Sequence, residues 1–371
     1  MTLLNTLLNT LDPTLSVHAT RPHNGKAAVK PTPEIVPDLL KVSSNENAMG
    51  PSPRVMAVLA DALAGIYRYP VDEEPLLVQK LAARLGEPVT PAHVITGNGS
   101  GDVLRMIAQT LLKAGDKVVI AAPTFNLYEI LAKNLGCQPV MVPLRNYTID
   151  LQRVLDAIDD KVQMVFICNP NNPTGTIVTH AEVGAFLDAL PPHIIAIFDE
   201  AYMEFADDPA FPRMIDYIQA GHRIVVTRTF SKLHGLAGLR IGYAFGDSDL
   251  LARVRQVKLP FHTGRLACIA ATAALEDEVH IAQTISMVHS ARDFYYRACA
   301  ELGFGYVPTQ SNYILLTDLP LSTDQIGATA LTRGVMMRQG ETFNLPETLR
   351  ITLARPHENE RVIETLRAIC G

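Results

Sequence analysis

Seven short runs of β-branched and apolar residues constrain the fold most: His93–Thr96, Lys117–Ala121, Gln138–Val142, Val162–Cys168, His193–Asp199, Arg223–Arg228 and Arg240–Phe245. The fifth is apolar at consecutive positions, Ile194-Ile195-Ala196-Ile197-Phe198, as expected of a strand covered on both faces. Helical patterns such as Val103–Leu112 separate most of the runs. That alternation predicts an α/β fold, with a mainly parallel seven-stranded sheet wrapped on both faces in a large domain. Such sheets bind ligands where their strands give out. Ser100, Phe125, Asn172, Asp199 and Lys232 all end or follow one of the runs, and are expected to meet there. From about residue 250 the alternation stops. A helical region, Asp249–Leu259 and then Leu266 to Glu301, leads to a small α+β part. The expected division is an N-terminal helix and arm (1–45), a large domain (46–255) and a small C-terminal domain (256–371) that packs with the arm.

The strand ends carry reactive groups. Ile224-Val225-Val226-Thr227 leads into Thr229-Phe230-Ser231-Lys232, followed by small residues and Arg240. Desolvation at the end of a buried strand lowers a lysine's pKa and makes its amine a nucleophile. Such an amine forms an imine with an aldehyde, which is how pyridoxal 5'-phosphate (PLP) is attached. Thr229, Ser231 and Arg240 are then placed to hold a phosphate. By itself the stretch reads equally well as a surface Ser-Lys loop. Asp199 ends an apolar strand, where a carboxylate is costly unless paired; a protonated pyridine nitrogen is a suitable partner, and a helix N-cap is the plainer alternative. Strand His93–Thr96 is followed by Gly97-Asn98-Gly99-Ser100-Gly101-Asp102 and a helix, an order that favours anion binding at the helix start. Asp102 stands where a dinucleotide fingerprint needs its third glycine, so that fingerprint fails. Asn169-Pro170-Asn171-Asn172-Pro173-Thr174-Gly175 cannot continue a strand and is a rigid turn. Arg350, between Leu349 and Ile351, suggests an inward-facing anion ligand, and Arg338 stands out beside it.

Together these segments resemble a known family. The pattern S-K-x(2)-G-x(2)-G-x-R-x-G-Y over Ser231–Tyr243 is similar to the lysine segment of fold-type I, class I/II PLP aminotransferases. N-E-N-x-x-G-P-S-P over Asn45–Pro53 and N-P-x-N-P-T-G over Asn169–Gly175 resemble the histidinol-phosphate aminotransferases among them. The resemblance runs from about residue 40 to the end. It implies that Lys232 carries PLP and moves the substrate's proton, and that Asp199 faces the pyridine nitrogen. Tyr202 and Asn172 would hold the phenolic oxygen, Phe125 the ring face, and Ser100, Gly101, Thr229, Ser231 and Arg240 the phosphate. Tyr69 of Arg68-Tyr69-Pro70 would reach the partner subunit's site in a homodimer, although the tripeptide also reads as a plain turn. Arg350, Arg338 and Asn47 would contact substrate. The implied reaction moves an amino group from histidinol phosphate or another amino acid to a 2-oxo acid such as 2-oxoglutarate.

The chain departs from the family pattern in three places. Ala48-Met49 replaces the usual Pro-Leu, Gly101-Asp102 replaces Asp-Glu, and no tyrosine precedes Tyr67 where the family has an N-terminal Pro-Tyr. The arm His18–Gly25 stands in that tyrosine's place. The amino donor therefore stays open between histidinol phosphate and an aromatic or specialised amino acid. A decarboxylase of the threonine-phosphate type shares many of these motifs, and a nicotinamide-dependent oxidoreductase is the alternative outside PLP chemistry.

Composition limits the partners. A net charge of −6 argues against nucleic acid or an anionic membrane, and no apolar run reaches the length of a membrane span. The first eleven residues lack a basic region and put Leu3, Leu4, Leu7, Leu8 and Leu11 on one helical face, unlike a signal peptide. Five scattered cysteines and the eleven histidines show no metal-ligand spacing. Reduced thiols, a cytoplasmic location, no metal and small-molecule substrates are expected.

Overall fold

The computed structural model describes residues 38–371. The N-terminal leucine-rich helix and the arm His18–Gly25 expected from the sequence lie outside the described residues. The strands are β1 (Leu40–Lys41), β2 (Val94–Gly97), β3 (Lys117–Ala122), β4 (Gln138–Pro143), β5 (Val162–Cys168), β6 (Ile195–Asp199), β7 (Ile224–Thr229) and β8 (Gly242–Gly246). The C-terminal part adds β9 (Gly305–Val307), β10 (Tyr313–Thr317), β11 (Val335–Met336), β12 (Arg338–Gln339) and β13 (Leu349–Thr352).

Seven of these form one sheet in the order β2-β8-β7-β6-β5-β3-β4. Pairing is parallel from β7 to β4, and β8 runs antiparallel to both β7 and β2. Two expected strands begin two residues late. His193 and Ile194 belong to a turn in which the Ile194 N–H donates to the Pro191 carbonyl. Arg240 closes a short 3₁₀ turn at φ +52°, which no strand accommodates.

Side chains alternate between two layers, as the pleat requires. In β5, Val165 and Ile167 join Phe186 and Phe198 on one face. Met164, Phe166 and Cys168 join Met106 and Tyr128 on the other. The first layer includes the helices Pro53–Ala62, Glu73–Leu85 and Arg265–Ala274. The alanines of the last helix let it lie close against the other two. Its packing continues the large sheet's core to Leu275, past the division at 255 expected from the end of the strand–helix alternation.

The four-stranded antiparallel sheet β12-β13-β10-β9 packs with helices Glu278–Leu302 and Pro356–Cys370 in a separate core. β1 pairs with β11, and the Val42 carbonyl accepts from the Thr352 N–H at 2.8 Å. Residues 42–45 are thereby laid along β13, where they reach the carboxyl edge of the large sheet. Among the described residues no helix is long and apolar enough to cross a membrane. No group of three or more His, Cys, Asp or Glu among them is arranged to hold a metal.

Candidate active site

The carboxyl ends of β3, β5, β6 and β7, with the amino end of antiparallel β8, converge on one edge of the sheet. Asp199, the last residue of β6, is 2% exposed. Its Oδ2 accepts from the Tyr128 hydroxyl at 2.7 Å and its Oδ1 from the Thr227 hydroxyl at 3.0 Å. No Lys, Arg or His among the described residues lies within ion-pair distance of it. Burial pushes the carboxyl up, while the Tyr128 and Thr227 hydroxyls, the Ala201 N–H and the charge of Lys232 pull the other way. A buried carboxylate with hydroxyl donors and no cationic side chain beside it among the described residues favours a cationic partner.

Lys232 follows β7. Its Nζ donates to the Ser44 carbonyl at 3.1 Å and lies 5.5 Å from the Tyr202 ring centroid. Burial pushes this amine down to about 7, helped by repulsion from Arg350 and Arg240 and opposed by Glu46. Tyr202 is itself buried, and its hydroxyl accepts from Asn45 Nδ2 at 3.0 Å. Burial pushes that phenol up to about 12, so it stays neutral and able to donate. Asn45 adopts φ +55°, a left-handed conformation that asparagine tolerates better than most residues.

The turn after β2 opens onto the helix Ser100–Leu111, whose first N–H groups have no intrahelical acceptor. A side chain at Gly99 would put its Cβ 2.5 Å from Arg240 Nη2, so the guanidinium lies directly against that turn. Arg240 reaches it from a left-handed φ of +52°, a conformation costing on the order of 1–2 kcal/mol for a residue with a Cβ. A Cβ at Gly242 would stand 2.3 Å from the Ser100 nitrogen, so β8 presses on the turn from the other side. Thr229 and Ser231 are buried nearby, with the Ser231 N–H donating to Thr229 Oγ1 at 3.1 Å. Asp102 takes part in the turn's own structure. It accepts from the Asn98 N–H at 2.9 Å and meets His262 Nε2 at 2.5 Å.

Across the site, β12 and β13 set Arg338 directly opposite Arg350. Arg350 is buried, and donates to Asn172 Oδ1 at 2.5 Å and to the Ser43 carbonyl at 2.8 Å. Its Nε has no partner among the described residues. Arg338 Nε shares the Ser43 carbonyl at 3.3 Å. The Arg350 guanidinium also lies over Phe343 and Tyr313, 4.8 and 5.3 Å from their centroids. Neither arginine has a carboxylate within ion-pair distance among the described residues. Burial and the neighbouring Arg338 both lower the Arg350 pKa. Two guanidiniums side by side without a counter-charge make a site for an anion.

The fold thus brings together Ser100, Gly101, Phe125, Asn172, Asp199, Tyr202, Thr229, Ser231, Lys232, Arg240, Arg338 and Arg350. Asn47 sits in the loop beside them, but its amide is engaged with backbone: Nδ2 donates to the Leu233 carbonyl and Oδ1 accepts from the Met49 N–H. Tyr69 stands apart from this chain's own site. It is 73% exposed and stacked on Phe261 at 4.6 Å.

The sequence assigns no individual role to Tyr128, Thr227, Asn171 or residues 43–45, although Tyr128 stands out as a second aromatic near Phe125. Asn171 ties two strand ends together: its Oδ1 accepts from Thr124 and its Nδ2 donates to the Pro123 carbonyl, fixing Phe125 relative to Asn172. Signals for two of them existed. Tyr128 falls one helical turn after Phe125, and Thr227 lies two residues before Thr229, on the same face of β7. Ser43 and Ser44 act through carbonyls that any residue would supply.

Residues 37–366 match the class I and II aminotransferase family. The chain is 38% identical over 335 residues to the histidinol-phosphate aminotransferase of Moorella thermoacetica, covering 90% of this chain and 86% of that one. It is also 38% identical over 333 residues to that of Akkermansia muciniphila, covering 90% of each. In three dimensions it resembles the crystal structure of histidinol-phosphate aminotransferase from Sinorhizobium meliloti in complex with pyridoxal-5'-phosphate. That likeness has a TM-score of 0.81 and 26% identity, over 89% of this chain and 91% of that one.

Proposed function

The chain belongs to the histidinol-phosphate aminotransferase family, within the class I and II aminotransferases, and from that premise we propose that histidinol phosphate is its amino donor and 2-oxoglutarate its acceptor. It is a PLP-dependent aminotransferase. The observation that carries the substrate reading is the Arg338–Arg350 pair, a half-buried and a buried guanidinium without a carboxylate counter-charge among the described residues. A guanidinium fork binds both a phosphate and a carboxylate, so one site serves both half-reactions, and the more highly charged phosphate gains more from the pair.

The residues present fit PLP. Asp199 offers a buried anion to a cationic nitrogen, Lys232 an amine near neutrality, and the Gly99 turn a backbone cradle under Arg240. When bound, PLP supplies an aldehyde for amines and a protonated ring that withdraws electrons from the substrate's α-carbon. Asp199 keeps its charge toward that ring. Tyr202 and Asn172 would hold the phenolic oxygen, Phe125 the ring face, and Ser100, Gly101, Thr229, Ser231 and Arg240 the phosphate. With its amine free, Lys232 Nζ would take the proton from the substrate's α-carbon and hand it on. A pKa of about 7 suits both directions.

We also infer a homodimer in which Tyr69 reaches the partner's site. The exposed Tyr69–Phe261 stack, with Tyr67 and Leu259 exposed nearby in the chain, supports such a surface. Five free thiols, four of them buried, fit a cytoplasmic setting.

The test is glutamate formation from 2-oxoglutarate by the PLP-loaded protein, with histidinol phosphate, phenylalanine or tyrosine as donor. Histidinol phosphate should exceed the aromatic amino acids in kcat/KM by about tenfold or more, because only it presents a phosphate to the arginines. A faster aromatic donor would move the substrate assignment. Release of carbon dioxide in place of glutamate would overturn the transfer reading.

A further inference from the structure

Asp199 is held from behind by the hydroxyls of Tyr128 and Thr227. Tyr128 is fully buried, its ring stacked on Phe166 with centroids 4.8 Å apart and planes 5° apart. The same ring meets Phe125 perpendicularly, with centroids 5.7 Å apart and planes at 90°. A ring clamped on two sides cannot swing, so its hydroxyl is aimed at Asp199 Oδ2, 2.7 Å away. Thr227 occupies Oδ1 from the neighbouring strand. Each carboxylate oxygen has two acceptor positions. The two hydroxyls, with the Ala201 N–H, fix the plane of the carboxylate and leave acceptor capacity for a further donor.

We propose that Tyr128, assisted by Thr227, is a positioning residue that sets the proton affinity of Asp199, so that the proton shared with the cofactor's pyridine nitrogen rests on nitrogen. The inference rests on the reading that Asp199 faces that nitrogen. In so dry a place a carboxylate without donors would gain proton affinity and take the proton itself, leaving a neutral acid beside a neutral ring. Hydroxyl donors favour the charged carboxylate. Burial holds the Tyr128 phenol well above its usual pKa, so it remains a donor throughout. The same ring braces Phe125 at right angles, which makes the aromatic wall and the carboxylate one packed unit.

Tyr128→Phe removes the oxygen and keeps the ring, which separates the two roles. The variant is loaded with PLP labelled with ¹⁵N in the pyridine ring, and the nitrogen's chemical shift is compared with that of the unsubstituted protein. The expected shift is toward the unprotonated value, with kcat lower by about ten- to a hundredfold and the donor's KM little changed. Thr227→Val should move the nitrogen in the same direction, and supplies the readout if the tyrosine variant does not fold. An unchanged nitrogen shift and kcat in either folded variant would reduce that hydroxyl to packing and overturn the proposal. Unsubstituted protein that takes up no PLP would overturn the cofactor reading first, and this inference with it.

Discussion

Replacing Arg350 by leucine should separate function from stability. The guanidinium is buried with two hydrogen bonds, an unpartnered Nε and no counter-ion among the described residues. Removing one partner of a buried, hydrogen-bonded charge pair costs about 2–5 kcal/mol. For an anionic substrate, that is a loss of roughly thirty- to several-thousand-fold in kcat/KM. The free protein has two opposing terms. Exchanging a buried charge for an apolar side chain is often neutral or stabilising by about 1–4 kcal/mol. Depriving Asn172 Oδ1 of its donor costs about 1–3 kcal/mol, while the Ser43 carbonyl keeps its bond from Arg338 Nε. The sum lies near zero, so the melting temperature should move by no more than about 4 °C. Arg350 is also the largest charge acting on Lys232, after burial itself. Its loss should raise the pH at which that amine becomes reactive. The assay pairs steady-state kinetics with thermal unfolding of the PLP-free protein. A large loss of stability with an unchanged KM would show that Arg350 is a structural residue, and the anion-site reasoning would fail.

Other perturbations reach different parts of the site. Lys232 titrates at about 7 in place of 10.5, so about half of it is neutral at pH 7, against roughly one part in three thousand for an ordinary lysine. Below pH 7 the protonated amine cannot attack. The rate at which PLP-free protein binds PLP covalently should therefore rise through a midpoint near 7; a midpoint near 10 would contradict the desolvation reading. Gly242→Ala puts a Cβ 2.3 Å from the Ser100 nitrogen, against backbone that cannot yield. It should lower the melting temperature and weaken PLP binding, and wild-type affinity would show that the turn is not held as described. Mixing Tyr69→Phe with Lys232→Ala subunits should restore part of the activity if sites are shared between subunits. No complementation, with mixed dimers present, would count against sharing.

How legible the site was depended on how each residue acts. Strands buried on both faces read as unbroken apolar runs, which is why β3, β5, β6 and β7 could be placed before their neighbours were known. Lys232, Asp199 and Asn172 were visible because a charge or a proline-framed asparagine at the end of such a run needs a reason. Tyr128 offered no such contrast, since an aromatic on a helix is most often core, and here it is core and hydrogen-bonded together. Asp102 replaces the family's glutamate in the phosphate turn, and its binding of the Asn98 N–H and His262 depends on residues far apart in sequence. Nor could the sequence show that Asn47's amide is taken up by the Leu233 carbonyl and the Met49 N–H. The packing of helix Arg265–Ala274 onto the large sheet was hidden for another reason. Its alanine-rich face is compatible with either core, and only the tertiary arrangement decides between them.

The central claim is that the Lys232 amine carries the cofactor. PLP-loaded protein would be reduced with borohydride, digested, and its peptides mapped by mass spectrometry. One pyridoxyl group per chain is expected, on the peptide containing Lys232, and none in Lys232→Ala. A label on another lysine, or no label on protein that retains PLP, would contradict it.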